Sequence, residues 1–357
     1  MKIGIFDPYL DTLGGGEKYI LTAALCLAKE HKVSIFWDVN DTPDFKKRAK
    51  ERFGFDFDNV NFTSNIFSPK ISLFNRIQKV REYDYIIYLS DGSIPLTLTK
   101  NLIIHFQFPV EWINGQSLKT KLKLLQIKQI ICNSKFTKSF IDKKFGIESI
   151  VVYPPVNIVK PQGEKENIIL HVGRFGIDLE GENYKKQDVM IEAFKRMGEK
   201  SIKDWKFVMV ISVTDKDKTK VEKLRNITRG FPIDIIENPD KYTLWQLYRK
   251  AKIYWHASGF GEDLQIHPQK AEHFGIATAE AMGAGAVPVV ISAGGQLEIV
   301  KDGESGFLWN TIEELIQKTN MLMQNNRLLE EVSRNATKRA KIFSNERFCK
   351  QINKIIY

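Results

Sequence analysis

Two glutamates, Glu272 and Glu280, stand eight residues apart in the segment with the most evident chemistry. Phe274 and Gly275 lie between them, and the pattern predicts a helix that opens near residues 276–278. On one continuous helix the two side chains would point about 80° apart. With Glu272 in the loop ahead of the helix, both could reach a ligand at the helix N-terminus, where free N–H groups and the positive dipole end favour a diphosphate.

The chemistry of this acidic pair suits a nucleotide sugar. A carboxylate accepts hydrogen bonds from sugar hydroxyls, so one could hold a ribose and the other a hexose. The spacing equally allows a hydrolytic pair that flanks a glycosidic bond as acid and nucleophile. A third interpretation is two surface glutamates at a helix start, where acidic residues are favoured in any case.

Basic groups are predicted to face the same site. Gly173 and Arg174 end a predicted strand, and Lys185 and Lys186 precede the following helix. Ligands bind at the carboxyl ends of strands in an open α/β sheet. An Arg fork and a Lys point charge there could stabilise a departing diphosphate, although a lone Arg174 is also typical of a solvated loop.

A glycine-rich turn follows the first predicted strand. Gly14, Gly15 and Gly16 would let an anion approach backbone N–H donors. The turn could belong to a dinucleotide site with Asp38 as ribose partner, but Tyr19 occupies the place of the third glycine, so that fingerprint is incomplete. A plain helix-entry turn is the other interpretation.

Histidines and cysteines give no metal signature. His105 and His256 each end a predicted strand and could bind a sugar hydroxyl or be structural, and no histidine pair has zinc-site spacing. Cys26, Cys132 and Cys349 are far apart and odd in number. We therefore expect reduced thiols, with neither a disulfide framework nor a thiolate metal site, and no cofactor.

The elements that must position these residues alternate between strand and helix patterns, which is typical of parallel α/β architecture. Pro154 and Pro155 interrupt the series, so we place a domain boundary in residues 154–165. We predict a first domain at 1–158, a second at 159–339, and a C-terminal helix within 340–357 that packs back on the first. The predicted strands are residues 2–6, 33–37, 85–89, 102–105, 129–132, 168–172, 207–211, 233–236, 253–256 and 287–291, with a first helix at 16–29.

Length and charge restrict the class of protein. A chain of 357 residues that is 43% hydrophobic can bury two cores. No signal peptide or membrane-spanning run is predicted, so we expect a cytoplasmic protein, with peripheral contact at the inner face of the membrane as an option. The net charge is +10, and residues 117–144 hold eight lysines against Asp142.

This basic stretch also carries Leu118, Leu122, Leu125 and Phe136, a pattern that could lie on an anionic membrane. It could equally be a solvated helical face. Nucleic-acid binding is a further option, but no recognised nucleic-acid motif accompanies the lysines.

The assembled motifs resemble glycosyltransferase family 4 over nearly the whole chain, and they occur in family order. They are LGGGEKY (13–19), CNSKFTKSFI (132–141), VVYPPVNI (151–158), HVGRF (171–175), YKKQDVMIEAF (184–194) and EHFGIATAEAMGAGAVPVVISAGGQLEIV (272–300). The segment YWHASGFGED (254–263) resembles a branch with mannosyltransferases that extend lipid-linked oligosaccharides.

The resemblance implies a GT-B fold, in which two Rossmann-like domains enclose a cleft, and a retaining, metal-independent hexosyl transfer. By it, Glu280 would bind the donor ribose and Glu272 the hexose, while Arg174 and Lys185 would hold the diphosphate. His105 would contact the transferred sugar. The other implied donor contacts are Gly14, Gly15 and Gly16, which would cover the phosphates from the first domain, and Gly173, Lys186, Phe274, Gly275, Ile276, Ala277 and His256.

The chain departs from the commoner family pattern at Lys186, where Gly or Asn often follows the phosphate-binding lysine. Either Lys185 or Lys186 could therefore reach the phosphate. The resemblance favours GDP-mannose as donor and a saccharide or lipid-linked acceptor. The alternatives within enzymes are a nucleotide-sugar epimerase-like protein of the same fold and a phosphorylase, for which the pyridoxal lysine motif is not found.

Overall fold

The computed structural model describes residues 1–38, 42–99, 101–159, 163–175 and 183–357. These residues form two compact units. Unit 1 comprises Met1–Pro155 and Asn345–Tyr357, and unit 2 comprises Val156–Ser344. Each unit has one open parallel sheet with helices. No helix of the described residues is long and apolar enough to cross a bilayer.

Unit 1 contains a seven-stranded sheet in the order β3-β2-β1-β4-β5-β6-β7, with parallel pairing throughout. Its strands are β1 (Lys2–Phe6), β2 (Lys32–Phe36), β3 (Val60–Thr63), β4 (Tyr85–Leu89), β5 (Leu102–Phe106), β6 (Ile127–Cys132) and β7 (Ile150–Val151). Its first five helices are α1 (Gly15–Leu27), α2 (Thr42–Phe53), α3 (Leu73–Val80), α4 (Leu118–Leu124) and α5 (Lys135–Phe145).

The central strands of unit 1 are buried on both faces. Every residue of β4 and β5 is buried, and both strands are almost entirely apolar. This pattern is expected of parallel strands that helices cover on either side. The order reverses direction next to β1, so the carboxyl ends of β1 and β4 open at a switch point where such sheets bind ligands.

Unit 2 contains a six-stranded parallel sheet in the order β10-β9-β8-β11-β12-β13. Its strands are β8 (Glu166–Arg174), β9 (Lys206–Ser212), β10 (Ile233–Glu237), β11 (Ala251–His256), β12 (Val287–Ile291) and β13 (Phe307–Trp309). Its helices are α6 (Gln187–Arg196), α7 (Glu199–Ile202), α8 (Lys218–Thr228), α9 (Lys241–Lys250), α10 (Ile276–Gly283), α11 (Gln296–Ile299), α12 (Ile312–Gln324) and α13 (Asn326–Ala340).

The last helix of the chain, α14 (Asn345–Ile356), belongs to unit 1 and packs on α1. The rings of Tyr19 and Phe348 meet edge to face at 4.7 Å between centroids. Beside them Cys26 and Cys349 form a disulfide with a Cα–Cα distance of 5.4 Å, while Cys132 is free and buried.

The prediction of three reduced thiols is therefore wrong. The two bonded cysteines are 323 residues apart, and only the packing of α14 on α1 brings them together, so their spacing in the sequence carried no signal. The cysteines consequently give no support to a reducing compartment.

Candidate functional site

A carboxylate shared by two basic side chains lies at the carboxyl edge of the sheet in unit 2. Glu272 precedes α10, and its Oε2 accepts hydrogen bonds from Lys185 Nζ at 2.8 Å and from His256 Nε2 at 3.1 Å. Lys185 precedes α6, and His256 ends β11. The Lys185 and Glu272 side chains are only 16% and 22% exposed, so water screens their attraction weakly.

Burial and charge together set the protonation of this cluster. Burial lowers the pKa of His256, and the neighbouring carboxylate only partly opposes this shift. Burial alone would raise the pKa of Glu272, but the Lys185 charge and the His256 hydrogen bond outweigh it and hold the pKa well below its usual range. At neutral pH a neutral imidazole therefore donates Nε2–H to an ionised carboxylate.

A second buried histidine, His171, lies beside His256. The ring of His171 lies 6.0 Å from that of His256, and its Nδ1 is 3.0 Å from the Trp255 carbonyl oxygen. Burial lowers the His171 pKa to about 3, so the ring is neutral and donates from Nδ1. A Cβ atom on Gly173 would lie 3.0 Å from His171 Nε2, so glycine leaves room for this ring.

The N-terminus of α10 opens beside Glu272. Its N-cap, Gly275, has φ 113°, a conformation that residues with a Cβ atom rarely adopt, and a Cβ there would lie 2.8 Å from Gln296 Nε2. The N–H groups of the first turn, including those of Ile276 and Ala277, have no partner within a helix. This turn carries no acidic residue, so it can receive an anion.

The other two predicted contacts in this segment, Phe274 and Glu280, are both buried. Phe274 is 2% exposed and packs edge to face on Phe343, so its ring is part of the core of unit 2. Glu280 lies in α10 and is 9% exposed. Burial and then the Glu280 charge raise the pKa of Tyr248 well above its usual value.

Arg174 ends β8 with an exposed side chain. Its carbonyl oxygen accepts a hydrogen bond from Gln187 Nε2 at 3.1 Å. Within the described residues the guanidinium has no ion pair or hydrogen bond, so it is available to a ligand. The structure thus places Arg174 and His256 at the ends of adjacent strands, as expected for groups that serve one site.

The two neighbouring lysines have different partners. Lys185 pairs with Glu272, whereas Lys186 Nζ lies 2.6 Å from Glu262 Oε1. Lys270 Nζ lies 3.4 Å from the other oxygen of Glu262. Lys186 is therefore not part of the Lys185, His256 and Glu272 cluster.

The glycine turn of unit 1 is already occupied by side chains of the same unit. Gly14 N–H donates to Glu17 Oε2 at 2.5 Å. Gln107, just after β5, donates from Nε2 to the Gly16 carbonyl oxygen at 3.0 Å, and a Cβ atom on Gly16 would collide with its amide. Gly15 begins α1. The turn is thus built for close packing around Gln107, and one of its N–H groups is not open to an anion.

His105 is fully buried in unit 1. Its ring stacks on Tyr19 at 4.1 Å, and its Nδ1 is 3.3 Å from the Ile131 carbonyl oxygen. Burial lowers its pKa to about 3. The ring is thus neutral and packed in the core of unit 1, and its Nε2 has no hydrogen-bond partner among the described residues. The sugar contact implied by the family resemblance stays a prediction.

Sequence reasoning missed several residues at these edges. Gln107 and Glu262 were not singled out, although each follows a predicted strand end. Tyr254, two residues before His256 on β11, donates to the Val172 carbonyl oxygen at 3.1 Å. Asp7 follows β1 and is 1% exposed, and burial with the nearby Glu17 charge raises its pKa to about 8.

No metal centre is evident in the described part of the chain. None of its histidine, cysteine, aspartate and glutamate side chains gather in groups of three or more that could hold an ion.

Comparison with known proteins adds the family. The family model described as Glycosyl transferases group 1 matches residues 157–339, which is more than half of the chain. The chain belongs to this family. The predicted family and enzyme class are thereby confirmed, and the matched residues contain the Glu272 cluster of this glycosyltransferase.

Two curated relatives share part of the sequence. A GDP-Man:Man(3)GlcNAc(2)-PP-Dol alpha-1,2-mannosyltransferase of Dictyostelium discoideum is 28% identical over 251 residues, which cover 64% of this chain and 47% of the relative. An uncharacterized glycosyltransferase of Methanocaldococcus jannaschii is 26% identical over 231 residues, or 64% of this chain and 58% of the relative. The match spans about half the length of these relatives.

Solved structures share the fold. A glycosyltransferase from Rickettsia africae superposes with a TM-score of 0.74 at 17% identity, covering 99% of this chain and 97% of the other. Anabaena HepE, solved in complex with UDP and glucose, gives a TM-score of 0.70 at 17% identity, covering 99% and 98%. The predicted GT-B fold class is confirmed.

Proposed function

We propose that this glycosyltransferase moves a hexose from a nucleotide sugar to a saccharide or lipid-linked acceptor, with retention of anomeric configuration and without a metal ion. The observation that carries the proposal is the Glu272 carboxylate, which is held by Lys185 and neutral His256 beside the acid-free N-terminus of α10. This arrangement sets a hydroxyl acceptor next to an anion site, as a sugar diphosphate requires.

The roles follow from the chemistry of each group. The diphosphate would lie at the first turn of α10 and receive charge-assisted hydrogen bonds from Arg174 and Lys185. Glu272 would accept from hexose hydroxyls and Glu280 from the ribose diol. His256 would orient Glu272, because its Nε2–H fixes one carboxylate oxygen.

The bond-breaking step needs stabilisation of the leaving phosphate. As the glycosidic C–O bond breaks, negative charge grows on the β-phosphate, and fixed cations nearby lower the barrier. The departing phosphate oxygen would accept the proton of the acceptor hydroxyl on the face that the new bond forms. Glu272 is engaged by two basic groups, which makes it a poor nucleophile and agrees with this route.

The donor we propose is GDP-mannose. The Dictyostelium relative is named for a GDP-Man donor, whereas HepE was solved with UDP, so the test must separate the two nucleotides. Thermal stability should be measured with GDP-mannose, UDP-glucose and UDP-galactose, since a ligand at 100 times its dissociation constant adds about 2.7 kcal/mol. If only a UDP-sugar stabilises the protein, the donor is a UDP-sugar and not GDP-mannose. If none of the three stabilises it, the proposed function is contradicted.

Metal independence is tested with the same donor. We expect transfer to a mannosylated lipid carrier to survive excess EDTA, because Arg174 and Lys185 take the role of a cation. Lys185→Met should lose most activity in the presence or absence of chelator. If EDTA stops the wild type and Mg²⁺ or Mn²⁺ restores it, the leaving-group assignment fails.

The basic stretch of unit 1 would dock this domain on an anionic membrane. Leu118, Leu122 and Leu125 lie at helical spacing along and just after α4 and are 76%, 61% and 83% exposed. Lys119 and Lys121 beside them are also exposed. An exposed apolar stripe with flanking lysines is the pattern of an interfacial helix.

The structure narrows which lysines matter. Lys123 donates to the Ile94 carbonyl oxygen, and Lys138 pairs with Asp142. The useful variant is therefore Lys119→Gln with Lys121→Gln, for which we expect about 2 kcal/mol weaker binding to phosphatidylglycerol vesicles, at about 1 kcal/mol for each lysine.

The matched control is Lys29→Gln with Lys47→Gln, two exposed lysines elsewhere in unit 1. Leu118→Ser with Leu122→Ser should weaken binding as well. Equal loss in the control, or equal wild-type binding to phosphatidylcholine, would leave only a solvated helical face.

A further inference from the structure

Three consecutive side chains at the start of α6 reach three different parts of unit 2. Lys185 pairs with Glu272 at 2.8 Å, Lys186 pairs with Glu262 at 2.6 Å, and Gln187 donates to the Arg174 carbonyl oxygen at 3.1 Å. Such a junction can fix the position of the groups that would hold the diphosphate.

The backbone of Lys186 is in an unusual conformation. With φ 55° and ψ 39° it lies in the left-handed region, where a Cβ atom crowds the carbonyl and a non-glycine residue is strained. Glycine and asparagine adopt this conformation most readily, and they are the residues that often occupy this place in the resembled family. A lysine here needs a compensating interaction.

Glu262 supplies that interaction. Its carboxylate lies between the ammonium groups of Lys186 and Lys270. The side chain of Lys186 is 17% exposed, that of Glu262 10% and that of Lys270 16%. Burial alone would raise the pKa of Glu262, but the two ammonium groups outweigh it and lower the pKa. The carboxylate is thus ionised and satisfied by two cations that water screens only weakly.

The two lysines that bind Glu262 lie next to the Lys185 and Glu272 pair in the sequence. Lys186 is adjacent to Lys185, and Lys270 is two residues before Glu272. One carboxylate therefore holds the neighbours of both members of the Lys185 and Glu272 pair. By joining these neighbours, the contact holds the segment before α6 at a fixed distance from the segment before α10.

We propose that Glu262 is a positioning residue for the donor site, and that Lys186 is its partner and not a phosphate ligand. The inference rests on the proposed function in that the site takes a diphosphate. Lys185 is then the lysine that meets the phosphate, and Lys186 maintains the left-handed turn that aims it.

The first test is a double-mutant cycle in thermal unfolding without ligand. Lys186→Gly removes both the strain and the ion pair, so it should lower the melting midpoint less than Glu262→Gln does. With Glu262→Gln already present, Lys186→Gly should raise the midpoint, because it then only relieves strain and an unpaired cation. Additive effects would show that the two residues are not coupled.

The second test is calorimetry with GDP and with UDP. Lys185→Met should weaken binding about 10- to 100-fold, as loss of a charge-assisted hydrogen bond does. Glu262→Gln should weaken it about 10-fold, Lys186→Gly by less than about 3-fold, and the double variant should recover to near Lys186→Gly. If Lys186 itself bound the phosphate, Lys186→Gly could not restore the affinity that Glu262→Gln loses.

Each failure has a separate meaning. If Lys186→Gly loses as much affinity as Lys185→Met, Lys186 is a phosphate ligand and the proposal is wrong. If Glu262→Gln binds like the wild type despite a lowered midpoint, Glu262 is structural only. If the wild type binds neither GDP nor UDP, the proposed function fails, while the unfolding cycle still decides whether Glu262 and Lys186 are coupled.

Discussion

Glu272→Gln should separate turnover from nucleotide binding. The amide keeps the size of the carboxylate, and its oxygen can still accept from His256 Nε2, so the ring should stay in place. What is lost is the charge that pairs with Lys185 at 2.8 Å and that would accept hydrogen bonds from the hexose. The substitution should therefore weaken the hydrogen bonds to the hexose, while it frees the Lys185 ammonium to bind a phosphate.

The magnitudes follow from the contacts. Losing a charge-assisted hydrogen bond to the hexose costs about 1.5–3 kcal/mol, which lowers kcat roughly 10- to 150-fold. In the unliganded wild type Lys185 is held by Glu272, and a diphosphate must share it. Without this competition the affinity for a bare nucleoside diphosphate should stay equal or rise, by up to about 10-fold.

The assay compares kcat for transfer with calorimetric binding of GDP and UDP in Glu272→Gln and in Glu280→Gln. Glu280→Gln should show the reverse pattern, with weaker nucleotide binding by about 1.5–3 kcal/mol because the ribose loses its acceptor. A Glu272→Gln variant that loses nucleotide affinity as much as Glu280→Gln would refute the division of roles between the two glutamates.

Two further predictions concern the stability of unit 1. The pKa of Asp7 is about 8 in the folded protein, above its ordinary value of 3.8, so the native state retains a proton that the unfolded chain releases between those values, and stability falls as pH rises through this range. Asp7→Asn should thus raise the melting midpoint more at pH 8 than at pH 5, and an equal gain at both would contradict it. Reduction of the Cys26–Cys349 disulfide should lower stability by about 2–4 kcal/mol, and Cys26→Ser with Cys349→Ser should make melting insensitive to reductant.

The central strands and the edge strand β10 could be predicted from the sequence, but three short edge strands could not. The predicted bounds of β1, β4 and β12 agree with the structure to the residue, because continuous apolar runs bounded by turn residues leave few alternatives. The missed strands are β3, β7 and β13. Each has four residues or fewer, and an edge strand of that length carries too few side chains for a periodic signal.

The candidate site shows the same division between pattern and packing. Lys185 and His256 could be placed near Glu272 because the carboxyl ends of parallel strands share one edge. The sequence could not show which lysine pairs with Glu272, because the pairing depends on the left-handed backbone at Lys186 and on Glu262, 76 positions further on. The burial of His105 could not be predicted for a related reason, because its place near the end of β5 does not show that Tyr19 stacks on it.

The two glycine-containing helix entries differ in charge, and this difference favours α10 over α1 as the proposed diphosphate site. At α1 the Gly14 N–H is taken by the Glu17 carboxylate. At α10 the first turn has no acid, and the nearby Glu272 is balanced by Lys185.

A dianion brought to the α1 turn would have to displace the Glu17 carboxylate from the Gly14 N–H donor. At α10 it would meet open N–H groups and a cation. The glycines of α1 are therefore better explained by the close approach of Gln107 to Gly16 than by phosphate binding. A Gly16→Ala variant should accordingly destabilise unit 1 while leaving the calorimetric affinity for GDP and UDP within about 3-fold of the wild type, and a larger loss of affinity in folded protein would return the phosphate to this turn.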